Sequence, residues 1–125
     1  MKLVTSFALV SFLAALLLAA LVPVASSATT AAPKLVGTVG PGYTITLTKG
    51  GKKVTTLKAG KYTFAISDKS SSHSFALQGP NGFSKNLTTV GFVGTKVATI
   101  VLKKGKYKYY CTAHSSFMLG RFTVT

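Results

Sequence analysis

The polar and apolar positions divide the chain into two parts. From Leu3 to Val24 the sequence is almost wholly apolar, with leucine, alanine, valine and phenylalanine dominant. From Lys34 onward, short apolar–polar alternations are cut by glycine, proline and lysine turns. Tyr43–Thr48 sets Tyr43, Ile45 and Leu47 against Thr44, Thr46 and Thr48, which predicts a half-buried strand. Gly50-Gly51 then turns the chain into Lys53–Leu57, and Ala59-Gly60 turns it into Tyr62–Ser67, where Tyr62, Phe64 and Ile66 share a face. A short strand over His73–Leu77 ends at Gly79-Pro80-Asn81-Gly82, and Phe83–Thr89 reads as irregular or weakly extended. Lys96–Leu102 is apolar on both alternations and is expected to be buried on both faces. Lys104-Gly105 leads into Tyr107–Cys111, and Arg121–Thr125 closes the chain. Seven or eight short strands at close spacing predict an all-β sandwich.

The opening apolar run has a short basic start at Lys2 and ends in small residues, Ser26 and Ala28. This is the pattern of a cleavable secretory signal over residues 1–28, and an uncleaved anchor is the alternative. A short Ser/Thr/Ala/Pro-type tether over residues 29–33 and one domain over residues 34–125 follow. Thr29–Thr125 is long enough to fold alone.

Charge and cysteine content narrow the function. Apart from Lys2 there are fourteen basic residues and one acid, Asp68, a net charge of +13. Nucleic acid is the common partner of such a chain. Here, however, the lysines are scattered along strands and turns of an exported sequence, so nucleic acid is not expected. An acidic protein partner, or an anionic membrane or cell surface, fits better. Asp68 before the Lys69–Ser72 loop is expected to close an Asx-type turn, and as the sole acid it excludes a paired-carboxylate mechanism. A single cysteine, Cys111, excludes an internal disulfide, a four-cysteine zinc or iron–sulfur site and a dinuclear two-cysteine copper centre.

The chemistry gathers at Tyr110-Cys111-Thr112-Ala113-His114-Ser115-Ser116-Phe117-Met118-Leu119-Gly120. A strand delivers a cysteine, a histidine follows three residues later, and a methionine four residues after that. The chain has one further histidine, His73, in Ser72-His73-Ser74-Phe75. Two imidazoles and a thiolate with a distant thioether form the blue-copper donor set, which suits both Cu(I) and Cu(II).

These residues carry a resemblance. Gly60-Lys61-Tyr62-Thr63-Phe64, Ser72-His73-Ser74-Phe75, Gly105-Lys106-Tyr107-Lys108-Tyr109-Tyr110-Cys111 and the Cys111–Gly120 loop make the chain resemble the cupredoxins, in particular plastocyanin- and pseudoazurin-like proteins, over nearly all of Lys34–Thr125. The resemblance implies a Greek-key β-sandwich with one type 1 copper at one end, held by His73, Cys111, His114 and Met118. Two features depart from the usual plastocyanin pattern. The methionine follows the second histidine at a spacing one residue shorter, and Ser74 stands where many members have asparagine. A serine keeps a backbone N–H able to bond the thiolate but loses part of the surrounding hydrogen-bond shell.

The function expected is that of an exported, monomeric one-electron carrier between redox proteins, with no catalytic turnover of its own. Phe117, Leu119 and Pro41 are the expected docking residues beside His114. A copper carrier serving an exported oxidase, and a cationic binding module with a vestigial site, are the competing readings.

Overall fold

The structure, a computed structural model, describes residues 20–125; most of the expected signal segment therefore lies outside the described residues. Residues 20–33 have no regular secondary structure. Among the described residues no helix is long and apolar enough to cross a membrane.

Ten strands follow: β1 (Lys34–Val39), β2 (Ile45–Lys49), β3 (Lys52–Lys53), β4 (Thr56–Leu57), β5 (Gly60–Asp68), β6 (Phe75–Gln78), β7 (Ser84–Thr88), β8 (Gly94–Leu102), β9 (Gly105–Tyr110) and β10 (Leu119–Val124). They form two five-stranded sheets in the orders β3-β2-β1-β5-β8 and β4-β10-β9-β6-β7. Pairing is antiparallel except for β1 with β5 and β4 with β10. The all-β sandwich is thus the one the turn spacing predicts.

The sheets close on an apolar core. Leu35, Leu47, Phe64 and Ile66 from the first sheet meet Phe75, Leu77, Tyr109 and Phe122 from the second. The Phe75 and Tyr109 rings stack with centroids 5.6 Å apart and planes 3° from parallel. Full burial of each such apolar side chain contributes on the order of 1.5–3 kcal/mol. Gly120 is obligatory for a packing reason: any side chain there would run into the Tyr109 ring.

Three readings of the pattern change. Lys53–Leu57 is two short strands, because the chain leaves the first sheet after Lys53 and joins the second at Thr56. Val54 between them is buried and its N–H bonds the Leu47 carbonyl at 3.0 Å. Phe83–Thr89 contains a regular strand, β7, paired with β6. β8 is not buried on both faces. Only one face of a strand meets the opposite sheet, so Ile100 and Leu102 point inward, while Val97 and Val101 on the outer face of this edge strand are 65% and 58% exposed. Apolar residues on an edge strand reflect β-propensity as well as burial.

The turn expected of Asp68 is present: the Ser70 N–H donates to its Oδ1 at 3.1 Å. The carboxylate is nevertheless buried, and its Oδ2 has no hydrogen-bond partner among the described residues.

The lysines, scattered in sequence, are gathered in space. Val39, Ile45, Asp68, Phe75, Gly94, Tyr110 and Leu119 are strand ends at one pole of the sandwich, fixed there by the pairing registers. At the opposite pole lie Lys34, Lys49, Lys52 and Lys53, with Lys58 and Lys61 on the approach to β5. Lys85, Lys103, Lys104 and Lys106 cap the second sheet and the β8–β9 turn at the same end. All of them are exposed.

Candidate metal centre

The pole opposite these ten lysines holds the candidate ligands; Lys69 and Lys96 are the lysines nearest to it. The β9–β10 ladder continues past its last paired residues: the Cys111 N–H bonds the Met118 carbonyl at 3.0 Å, one step beyond Tyr110 opposite Leu119. Cys111 and Met118 are therefore neighbours across the ladder, although seven positions apart in sequence. The loop between them is closed tightly. The His114 N–H donates to the Cys111 carbonyl at 3.2 Å, and the Phe117 and Met118 N–H groups both donate to the His114 carbonyl, at 3.2 and 2.9 Å. Thr112–His114 forms a short 3-10 helix inside it. On the other side β6 pairs with β9, Ala76 opposite Tyr110, which brings His73 and Ser74 beside Cys111.

Three donor atoms converge. His73 Nδ1 and His114 Nδ1 are 3.1 Å apart, and Cys111 Sγ lies 3.8 and 3.7 Å from them. A triangle with these sides has a circumradius of about 2.1 Å, in the range of roughly 2.0–2.3 Å for nitrogen and thiolate bonds to a first-row ion such as zinc. One ion can therefore bond all three atoms without displacing them. Cys111 is fully buried, His73 is 4% exposed and His114 is half-buried. Met118 is 1% exposed and belongs to the core beside Cys111. The expected His–Cys–His donors are thus brought together, with Met118 held by its backbone between Cys111 and His114.

Ser74 ties the His73 segment to the Cys111–Met118 loop. Its hydroxyl accepts the Thr112 N–H at 2.9 Å, shares a hydrogen with Thr112 Oγ1 at 2.8 Å, and lies 3.9 Å from Cys111 Sγ. The contact from Ser74 to the sulfur runs through the hydroxyl, where the sequence suggested the backbone N–H.

Tyr43 is the residue that the pattern misplaces. It belongs to no strand: β2 starts at Ile45, and Tyr43 sits 67% exposed on the turn from β1. Its ring centroid is 5.3 Å from that of His73, 5.1 Å from that of His114 and 5.6 Å from that of Phe117. The Gly40-Pro41-Gly42 turn signal just before it was the clue that Tyr43 lies outside the strand. Among the expected docking residues, Phe117 is 59% exposed with its ring 5.4 Å from that of His114, and Pro41 is exposed on the Tyr43 turn. Leu119 is half-buried and lines a small cavity with Ile45, Leu47 and Tyr109.

Comparison with solved structures identifies the fold. The chain is similar to the copper protein rusticyanin, with a TM-score of 0.51 at 18% identity over 74% of this chain and 76% of that one. A further rusticyanin structure, from Thiobacillus ferrooxidans, gives a TM-score of 0.47 at 22% identity over 74% of this chain and 76% of that one. A variant of amicyanin in its reduced Cu(I) form gives 0.49 at 17% identity over 77% and 86%. The first of these likenesses shows the fold: the sandwich is that of a cupredoxin. No family model matches the chain, and no curated protein sequence does.

Proposed function

We propose that the protein binds one type 1 copper ion and carries single electrons between redox partners. The observation that supports this most is the triangle of two imidazole nitrogens and one thiol sulfur, buried at the end of a cupredoxin sandwich. Its atom types suit copper better than the alternatives. Zinc accepts cysteine and histidine, but the next buried donor in the loop, the Met118 thioether, is a soft group matched to Cu(I). In this reading His73, Cys111 and His114 would hold the ion, with the Met118 thioether as a further, weaker donor.

Bound copper supplies a one-electron Cu(II)/Cu(I) couple. The chain's own residues supply rigidity. The Cys111–Met118 loop is closed by four backbone hydrogen bonds, and the Ser74 hydroxyl fixes it to the His73 segment. Donors that cannot move apart demand little rearrangement when the charge of the site changes, as fast electron transfer requires. Burial favours electron transfer over copper carriage, because a carrier must open its site to hand over the ion.

Electrons would pass at the His114 end, where Tyr43, Phe117 and Pro41 present an apolar surface. A redox protein docking there would be chosen by apolar contact. The acidic character expected of that partner would have Lys69 and Lys96 to act on at this end. Export through the Met1–Ala28 signal, a monomeric state and the lack of substrate turnover belong to the same proposal.

Voltammetry of the copper-loaded protein tests it. A reversible one-electron wave, with copper lost to a chelator over hours, is the expected result. Rapid release of Cu(I) to a chelator would make it a copper carrier. Absence of any wave would leave a cationic binding module.

A further inference from the structure

Charge is segregated between the two poles of the sandwich. Ten exposed lysines crowd the pole opposite His73, Cys111 and His114, and the one acidic side chain, Asp68, is buried at the histidine pole. No side-chain carboxylate among the described residues offsets the lysine field. Four of these lysines, Lys49, Lys52, Lys53 and Lys58, line an open groove together with Pro33 and Tyr62. Pro33 is the last residue of the tether, and its carbonyl accepts the Thr63 N–H at 2.9 Å. The chain therefore enters the domain at the rim of the basic pole. Upstream, separated by a few Ser, Thr and Ala residues, the sequence holds the apolar run Leu3–Val24.

We propose that the lysine pole rests on an anionic lipid surface and turns the histidine pole away from it. A lysine cluster next to an apolar segment is the arrangement that binds acidic headgroups, each lysine near the surface adding to the attraction. The entry of the tether at this pole favours a membrane over a soluble polyanion, because for as long as residues 1–28 stay attached the segment best able to sit in or near a bilayer leads to these lysines. β5 spans the sandwich with nine residues, on the order of 30 Å at about 3.3 Å each. His114, Tyr43 and Phe117 would then stand roughly that far above the headgroups, free to meet a partner. The lipid contact does not depend on the copper reading, and it can be measured on the metal-free protein.

The test is partition of residues 29–125, which carry the whole described core and lack the apolar run, onto vesicles of phosphatidylcholine alone and of phosphatidylcholine with about one-third phosphatidylglycerol. The expected result is binding to the anionic vesicles stronger by about tenfold or more at low salt, with the preference lost when the Debye length falls to a few ångströms. The combined variant Lys49→Glu, Lys52→Glu, Lys53→Glu and Lys58→Glu should lose the preference, and the pair Lys69→Glu and Lys96→Glu should keep it. The same four positions changed to Gln should give an intermediate loss, and circular dichroism checks that each variant is folded. Amine acetylation on the vesicles should spare Lys49–Lys58 and modify Lys69 and Lys96. Equal binding to both vesicle types, equal acetylation at both poles, or an equal loss in the Lys69/Lys96 variant would overturn the proposal. Tight, salt-sensitive binding to heparin or RNA without a vesicle preference would overturn it in favour of a soluble polyanion.

Discussion

The two ends of the sandwich are built on opposite principles. At the histidine pole, side chains are buried, mutually bonded and aromatic: Cys111 is 0% exposed, Ser74 is 0% exposed, and Tyr43 and Phe117 lie against His114. At the lysine pole, the Gly50-Gly51 turn, flanked by Lys49 and Lys52, and the Lys103-Lys104 turn present long, exposed cations. One end holds a few donor atoms in a single arrangement; the other spreads like charges over a surface and needs no fixed geometry. A rigid all-β frame allows both, because strands running from pole to pole hold the two ends apart without coupling them.

The largest expected effect is at the sulfur. Cys111→Ser should abolish the intense colour of the copper-loaded protein while circular dichroism stays that of the sandwich. Retained colour would remove Cys111 from the site.

Loss of the Ser74 tether comes next. Ser74→Ala leaves the Thr112 N–H without its partner, and should cost about 1–3 kcal/mol of stability by denaturant titration. It should also broaden the visible band, because the two ligand-bearing segments are no longer pinned to each other. An unchanged midpoint would show that water replaces the hydroxyl freely.

Met118 sets the next effect. Met118→Leu should raise the reduction potential, since a donor to Cu(II) is lost, and Met118→Gln should lower it, since an amide oxygen favours Cu(II). About 59 mV corresponds to a tenfold change in a one-electron equilibrium. Potentials unmoved in both variants would make Met118 a core residue only. By contrast Lys52→Glu, on the order of 30 Å away and beyond a Debye length of about 10 Å, should leave the potential nearly unchanged. A shift comparable to that of Met118→Leu would break the separation of the two poles.

Tyr43→Ala should speed the reaction of Cys111 with a thiol reagent in the metal-free protein several-fold, because the exposed ring covers the histidine pair in front of the sulfur. An unchanged rate would show that the rest of the core, not Tyr43, shields the thiol.

The smallest effect concerns Tyr109, whose phenol is pushed above its ordinary pKa of 10.0 by burial, an effect only partly offset by a hydrogen bond from the Leu47 backbone. The folded state therefore holds this proton more tightly than the unfolded chain. That contribution to stability is fully present below about pH 10 and is lost as pH rises further. Tyr109→Phe should flatten the alkaline loss of stability. An identical pH profile would assign that loss to the lysines.

The parts legible in the sequence are those set by local pattern. Alternation at Tyr62, Phe64 and Ile66 gave the buried face of β5, and the spacing of Cys111, His114 and Met118 gave the loop that closes between β9 and β10. His73 was identified as the second imidazole of the chain, and the β6–β9 register is what carries it to Cys111. What pattern could not show were consequences of tertiary placement. Nothing local shows that the outer face of β8 is left uncovered at the sheet edge, so Val97 and Val101 read as core. Tyr43 continues the alternation of Ile45 and Leu47, and although the Gly40-Pro41-Gly42 turn marks it as outside the strand, nothing local tells its ring to lie against the histidines. The gathering of lysines is of the same kind: Lys34, Lys53 and Lys104 are far apart in sequence and share an end only once the registers are set.

The copper assignment stands or falls on titration of the metal-free protein with Cu(II), followed by visible absorption. A type 1 site predicts an intense thiolate-to-copper charge-transfer band that grows linearly and saturates at one ion per chain. A pale complex with only weak absorption, or a colour that keeps rising past one equivalent, would contradict it.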